Sequence, residues 1–465
     1  MVQAFLWPQP PRAESSGVHR RLLTGLLMSA AWFALPGQAA AQANCDASDG
    51  GYTCSIAEGT YTSPVTVTEP GDVPSGSVLT VNNAGTIGIG VGTVPSTASG
   101  VYGLGASITG DTSVNGGNTS GMNIVNSGAI SLAEGEAGTY TYNLYGIGAQ
   151  QSASGAGSSS AGAHVYNHGT VTVAPAPDTQ VVEAVGIWAS DLGGPNAGNS
   201  HGASVFNDGA IIVTATGQQG AAGIDVFSIG AYQGATGNAL GSGGYVSVLN
   251  VAPITVDWTW QNVGNNSGVF GIQAMSTGGN GASAIIQNGT GGDGVQAGVS
   301  QIVLYAGGDV TVTANGTPHE VAIPGLSILN VASPGTPLQG AGLFAGTFGG
   351  NGGRGFGTSE DGGDGAQGAG AGVAILDASV NTGGSGLSAL ALLVQGGTGG
   401  YSGCQTQSSC HPGSYSSNGG AGGDIYLDAD GRITIAAQNI PVTISTNGDN
   451  SAGVLALMQG GSGGQ

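Results

Sequence analysis

The chain has 465 residues, with five arginines and no lysine against 26 acids, a formal charge of −21. So acidic a surface repels phosphate backbones and excludes nucleic-acid binding. Glycine accounts for 94 residues, yet no strict G-x-y period exists, which excludes collagen; 40% hydrophobic content in ordered alternation argues against simple disorder.

The N-terminus carries His19-Arg20-Arg21, an apolar run from Leu22 to Leu35, then Pro36-Gly37 and the small-x-small Ala41-Gln42-Ala43. That order of basic, apolar and cleavable segments predicts a signal peptide over 1–43 and an exported chain beginning at Asn44. The apolar run is too short to span a bilayer comfortably, and no later segment comes close, so the mature chain is expected to lack a membrane-spanning segment. It retains two arginines against 25 acids, which also disfavours anionic lipid headgroups.

Residues 44–77 read as an N-terminal cap and the first coils of a stack, with alternating Thr and Val from Thr60 to Thr68. The four cysteines fall in two close pairs, Cys45/Cys54 and Cys404/Cys410. An even count in an exported chain favours a disulfide within each pair. Zinc is the rival, because His411 adjoins Cys410, but neither C-x8-C nor C-x5-C matches common zinc spacings.

Residues 78–290 are the most regular. A phrase V-x-N-x-G-x-V-x-V recurs at Asn83, Asn126, Asn167 and Asn207, at steps of 43, 41 and 40 residues, with a looser copy at Asn250 where Ala252 replaces glycine. A second phrase recurs as Gly186-Ile187-Trp188-Ala189, Gly271-Ile272-Gln273-Ala274 and Gly342-Leu343-Phe344-Ala345. A period near 40 without helical pattern predicts an all-β solenoid. We expect two coils of about 20 residues per repeat, with Asn and Gly in left-handed corners. The asparagines would then stack in every second coil, roughly 9–10 Å apart. Ile147, Ile187 and Ile272 should point inward, and the Gly/Ser/Ala spacers at 151–163, 191–203 and 230–244 should be loops leaving one face.

Residues 291–465 continue the pattern with long Gly-rich loops and stop at GGSGGQ directly after a strand. We expect a chain truncated at its C-terminus. Signal peptide, V-x-N-x-G-x-I phrases and Gly-Ile-x-Ala strands together resemble the passenger domain of a Gram-negative autotransporter, over Asn44 to Gln465. The resemblance implies a right-handed parallel β-helix, displayed at or released from the cell surface through an outer-membrane β-barrel encoded downstream.

Candidate chemistry is thin. Gly110-Asp111-Thr112-Ser113 does not meet the nucleophile, base and orienter requirement with the scattered histidines. Two acidic groups beside arginines are the carbohydrate-enzyme candidates: Glu360, Asp361 and Asp364 near Arg354, and Asp424, Asp428 and Asp430 near Arg432. Both fall in Gly-rich loops or corners, where Asp serves turn geometry. The G-G-D-G copies at 291–294 and 362–365 echo calcium-binding repeats without being tandem, which leaves room for weak surface calcium and no dedicated cofactor. The expectation is therefore a non-catalytic surface passenger working in adhesion, aggregation or biofilm formation. Its partner would be a host matrix protein, a glycan or a second copy of itself. A carbohydrate-active β-helix enzyme and a purely structural spacer are the alternatives.

Overall fold

In a computed structural model, the chain is described over residues 43–48, 51–68, 78–90, 100–109, 121–133, 142–153, 159–176, 181–194, 198–230, 241–261, 268–281, 293–316, 339–353, 355, 363–400, 420–421, 423–428, 442–449 and 451–462. These residues are all strand, turn and extended chain, without helix. The chain winds as a parallel β-helix. Each turn lays down one strand on each of three faces, and each strand pairs in parallel with its counterpart one turn later.

Coil four shows the plan: Ala163–Asn167 on the first face, Val171–Val173 on the second and Val181–Leu192 on the third. Coil six repeats it with Tyr245–Asn250, Ile254–Trp260 and Gly268–Thr277. In coil five a single strand, Ile211–Ile229, runs unbroken over the second and third faces, which merges them into one 17-stranded sheet. Nine coils are present among the described residues, from Gly51–Ile56 to Val454–Gln459. An antiparallel strand, Asn44–Ser48, covers the first edge of the first face, where unpaired backbone would otherwise invite another chain.

The repeat is thus one coil, not two. Asn83, Asn126, Asn167, Asn207 and Asn250 are register partners in adjacent strands of the first face. Their separation is one strand spacing, about 4.8 Å, half the expected distance. Each coil has three strands where the sequence shows two phrases per period, because the short second-face strand lies inside the V-x-N-x-G-x-V phrase.

The five asparagines end the first-face strands and point inward, fully or almost fully buried. Nδ2 of Asn83 donates to Oδ1 of Asn126, Asn126 to Asn167, Asn167 to Asn207 and Asn207 to Asn250, each at 2.7 Å. The second Nδ2 proton turns to the carbonyl two residues on, as from Asn167 to Gly169 at 2.8 Å. Buried amides are tolerable because both ends are satisfied. The ladder stops where Ile56 and Leu304 take the same register position.

The corner does not use the left-handed backbone. Asp377 is the one non-glycine with positive φ among the described residues. Glycine follows the asparagines for a steric reason: a Cβ at Gly128 would lie 1.9 Å from the Gly85 carbonyl oxygen, and one at Gly169 1.9 Å from that of Gly128.

Strand alternation fills the bore with aliphatic side chains. Ile147, Ile187 and Ile272 are fully buried in it. Where coil six places Trp258 inside, its register partners are Ala215 and Ala314, and its ring occupies the space a Cβ at Gly217 would need. Large and small residues thereby interdigitate along the axis.

The glycine-rich spacers are not simple loops. From coil five onward, the outgoing pass after one third-face strand bonds to the returning pass that precedes a first-face strand. Gly279 N–H donates to Gly241 O, Val295 to Gly279, Gly350 to Val295, Ala366 to Gly350, Gly397 to Ala366, Gly420 to Gly397 and Gly461 to Gly420, at 2.7–3.1 Å. Backbones pack so closely here that a Cβ at Gly420 would lie 1.8 Å from the Ala366 oxygen. Much of the glycine thus builds a backbone-bonded flange along one corner. The spacer centres at 154–158, 195–197 and 231–240 lie outside the described residues.

Candidate functional site

Three side-chain assemblies decorate this frame. The first is internal. At the end of the third face, Asp191, Ser228, Ser276 and Thr347 form one inward column in register. They hold the chain as it returns to the first face. The Asp191 carboxylate accepts from Ser200 Oγ at 2.6 Å and Gly202 N–H at 2.7 Å. Ser228 Oγ accepts from Gly244 N–H at 2.7 Å, and Ser276 Oγ from Gly298 N–H at 2.8 Å. Burial raises the pKa of Asp191, against the pull of the hydrogen bonds from Ser160, Ser200 and Gly202. This column shapes a corner and faces no solvent.

The second lies on the outer surface of the first face. Val125, Tyr166, Phe206, Leu249 and Val303 follow one another in register across five coils. Tyr166 is 42% exposed, and Tyr245, two outward columns back along the strand, is 46% exposed. Tyr245 OH is bonded to Gln301 Oε1. The strip is flanked by His164, whose Nδ1 meets Ser204 Oγ at 2.6 Å, and by the pair His168–Asp208 at 2.9 Å. Burial lowers the pKa of His164 and favours the neutral ring. By contrast, the outer surface of the second face is largely hydroxylic, with Thr172, Thr255 and Thr311 in a column that Ile212 interrupts.

The third sits on the outer surface of the third face. Tyr102 and Tyr145 stack with centroids 4.9 Å apart and planes 19° from parallel. Trp188 follows at 5.3 Å from Tyr145, and Phe227 at 5.7 Å from Trp188. The chain makes room for them with glycine: a Cβ at Gly148 would lie 2.3 Å from the Tyr102 ring. Two carboxylates stand among these rings. Tyr145 OH donates to Glu183 at 3.1 Å, and Asp225 is the register partner of Trp188. Both acids keep a partial solvent contact. Burial, and secondarily the charge of Glu183, pushes Asp225 up to about 8. Burial likewise raises Glu183, opposed by the Tyr145 hydrogen bond.

None of these residues was singled out as a site from the sequence. A signal existed: Tyr102-Gly103-Leu104-Gly105-Ala106 and Tyr145-Gly146-Ile147-Gly148-Ala149 are the same phrase, 43 residues apart. The acids carry no motif, since only register places Glu183 and Asp225 under the same rings.

Of the residues singled out from sequence, Cys45 and Cys54 are disulfide-bonded across the first antiparallel pair. Cys404, Cys410, His411, Arg354, Glu360, Asp361, Asp430 and Arg432 lie outside the described residues, as does the signal segment through residue 42. Asp293 and Asp364 of the two G-G-D-G copies come together in adjacent coils, with Asp364 N–H donating to Asp293 Oδ1 at 3.2 Å. Among the described residues no three His, Cys, Asp or Glu side chains converge as metal ligands, and no helix is long and apolar enough to cross a membrane. No protein-family model, no curated protein sequence and no solved structure matches the chain.

Proposed function

We propose that this chain is an exported, surface-displayed passenger of the autotransporter type, and that it acts by adhesion or self-association through the outer faces of its β-helix. The observation that carries this reading is the partly exposed strip on the first face. A flat sheet surface repeating Val125, Tyr166, Phe206 and Leu249 at one strand spacing presents apolar and aromatic contact area without the mobility of a loop. The solenoid contributes reach, and each coil adds another copy of the contact. Export is supported by the basic-then-apolar leader ahead of the first strand. A lysine-free, strongly acidic exterior keeps neighbouring copies apart until apolar strips meet.

The test is made on cells expressing the whole gene. Antibody labelling of intact cells should find the solenoid outside. Cell settling, or retention on immobilised matrix protein and glycan, should fall several-fold when Tyr166, Phe206 and Leu249 are all replaced by Ser, with surface labelling unchanged. Protein confined to the cytoplasm with its leader intact would refute display. Unchanged settling and retention in the triple variant would refute the strip as the contact surface and favour a structural spacer.

A further inference from the structure

We infer that the aromatic–carboxylate patch on the outer third face, built by Tyr145, Trp188, Glu183 and Asp225, binds an organic cation, specifically an alkylammonium group. The inference is independent of the adhesive role proposed for the first face.

Glu183 and Asp225 are carboxylates set among rings, and none of the described residues is Lys or Arg. The five arginines of the sequence are at 12, 20, 21, 354 and 432, all outside the described residues. Among the described residues Glu183 accepts one hydrogen bond, from Tyr145, and Asp225 has no donor. A partly desolvated carboxylate must be paired or must keep its proton. Among the described residues no cation faces the pair, and a ligand ammonium would supply the counter-charge once Asp225 gives up its proton.

The surroundings select the kind of cation. A calcium ion takes six to eight oxygen ligands, whereas this patch offers two carboxylates and phenol oxygens set in apolar rings. Trp188 keeps partial solvent contact, lies beside Asp225 in register and packs against Tyr145 and Phe227. Indole and phenol rings beside carboxylates suit an ammonium group carrying alkyl carbon: the charge meets the acids and ring quadrupoles, and the carbon meets the ring edges. Anionic and phosphate-bearing ligands are repelled. Neutral sugars would stack poorly on Tyr102 and Tyr145, whose faces already lie against each other.

Binding should be coupled to a proton. Asp225 holds its proton up to about 8, faced by Glu183 and by the phenol of Tyr145; burial keeps that phenol and the phenol of Tyr102 beside Glu183 protonated. A bound ammonium replaces that proton as the partner of the carboxylate. Affinity should therefore rise about tenfold between pH 7 and pH 9, while an alkylammonium probe remains charged.

The experiment titrates the purified full chain with cadaverine, by calorimetry and by indole fluorescence, at pH 7, 8 and 9. Glucosamine trimer is run in parallel to separate a polyamine source from an amino-sugar source, and 1-pentanol serves as the neutral control. We expect saturable cadaverine binding that tightens with pH, is weakened at least tenfold at pH 9 by Asp225→Asn and Glu183→Gln, and is unaffected by Asp46→Asn on the exposed first strand. Glucosamine trimer, whose amines lose their charge between pH 7 and 9, is compared with cadaverine at pH 7 alone. Trp188→Phe should shift or abolish the fluorescence change and weaken binding about threefold. Should Asp225→Asn fail to fold, as judged by thermal unfolding, the pH profile of the unaltered chain decides. A flat pH profile, equal binding of 1-pentanol, equal weakening by Asp46→Asn, or no saturation at millimolar probe would each overturn the proposal.

Discussion

Asn167 donates from Nδ2 to Oδ1 of Asn207 at 2.7 Å, across 40 residues of sequence and a single strand spacing. Each of the three middle asparagines in this buried line, Asn126, Asn167 and Asn207, donates to the next coil and accepts from the last. Removing one therefore strands two others.

Asn167→Ala should leave Asn126 Nδ2 and Asn207 Oδ1 short of a partner in a dry interior. The expected loss is about 2–4 kcal/mol, more than a single hydrogen bond is worth. Denaturant unfolding measures it. A loss below about 1 kcal/mol would mean that water reaches the ladder.

The glycines divide into two kinds, and substitution should separate them. Gly169→Ala places a methyl group 1.9 Å from the Gly128 carbonyl oxygen, so the coils must part and stability should fall by about 3 kcal/mol or more. Gly88 has open space where its Cβ would stand and shares an outward column with Ser131. Gly88→Ala should be neutral or stabilise by about 0.4–1 kcal/mol through the unfolded state. Comparable unfolding midpoints for the two variants would contradict this division.

The returning chain at the third corner is tied to serine. Ser228→Ala removes the acceptor for Gly244 N–H and a contact with Ser200 Oγ at 2.6 Å, both buried. Stability should drop by about 1–3 kcal/mol. Amide exchange at Gly244 should accelerate more than exchange at Val248, inside the strand Tyr245–Asn250 that follows it. Uniform acceleration would point to a global effect instead.

Asp225 makes stability depend on pH with a definite sign. Its carboxyl titrates at about 8 when folded, against an ordinary value of 3.8. Between those values the folded chain holds a proton that the unfolded chain has released. The stabilisation is thus complete below about pH 4 and is lost as pH rises through about 8. Glu183 and Asp191, both raised by burial, act in the same direction, so the comparison with Asp225→Asn isolates this one group. The unaltered chain should melt several degrees higher at pH 5 than at pH 9, and the variant should show a smaller difference. An equal difference in both would contradict the assignment.

Much of this architecture is legible in the sequence. Alternation after each Asn-x-Gly marks inward Ile and Val, and the constant step between asparagines marks a stack. What the alternation leaves out is the number of turns per step, because Val171–Val173 is only three residues long and merges with the phrase before it. The glycine flange was unreadable for a different reason: its bonds run backbone to backbone, as from Val295 to Gly279, and no side-chain pattern records them. The outer patch depends on register too. Trp188 and Asp225 become neighbours only once Val181–Leu192 is laid against Ile211–Ile229.

The central claim, that one 40-residue repeat makes one coil, is tested most directly by a cross-link. His164 and Ser204 are outward register partners in adjacent first-face strands. One strand spacing, about 4.8 Å, lies within the Cα separation a disulfide spans, whereas twice that does not. The account predicts that His164→Cys with Ser204→Cys forms a bond, identified by non-reducing peptide mapping, and that His164→Cys with Ser247→Cys, two coils apart, does not. Free thiols in the first pair, in protein that unfolds as cooperatively as the unaltered chain, would contradict it.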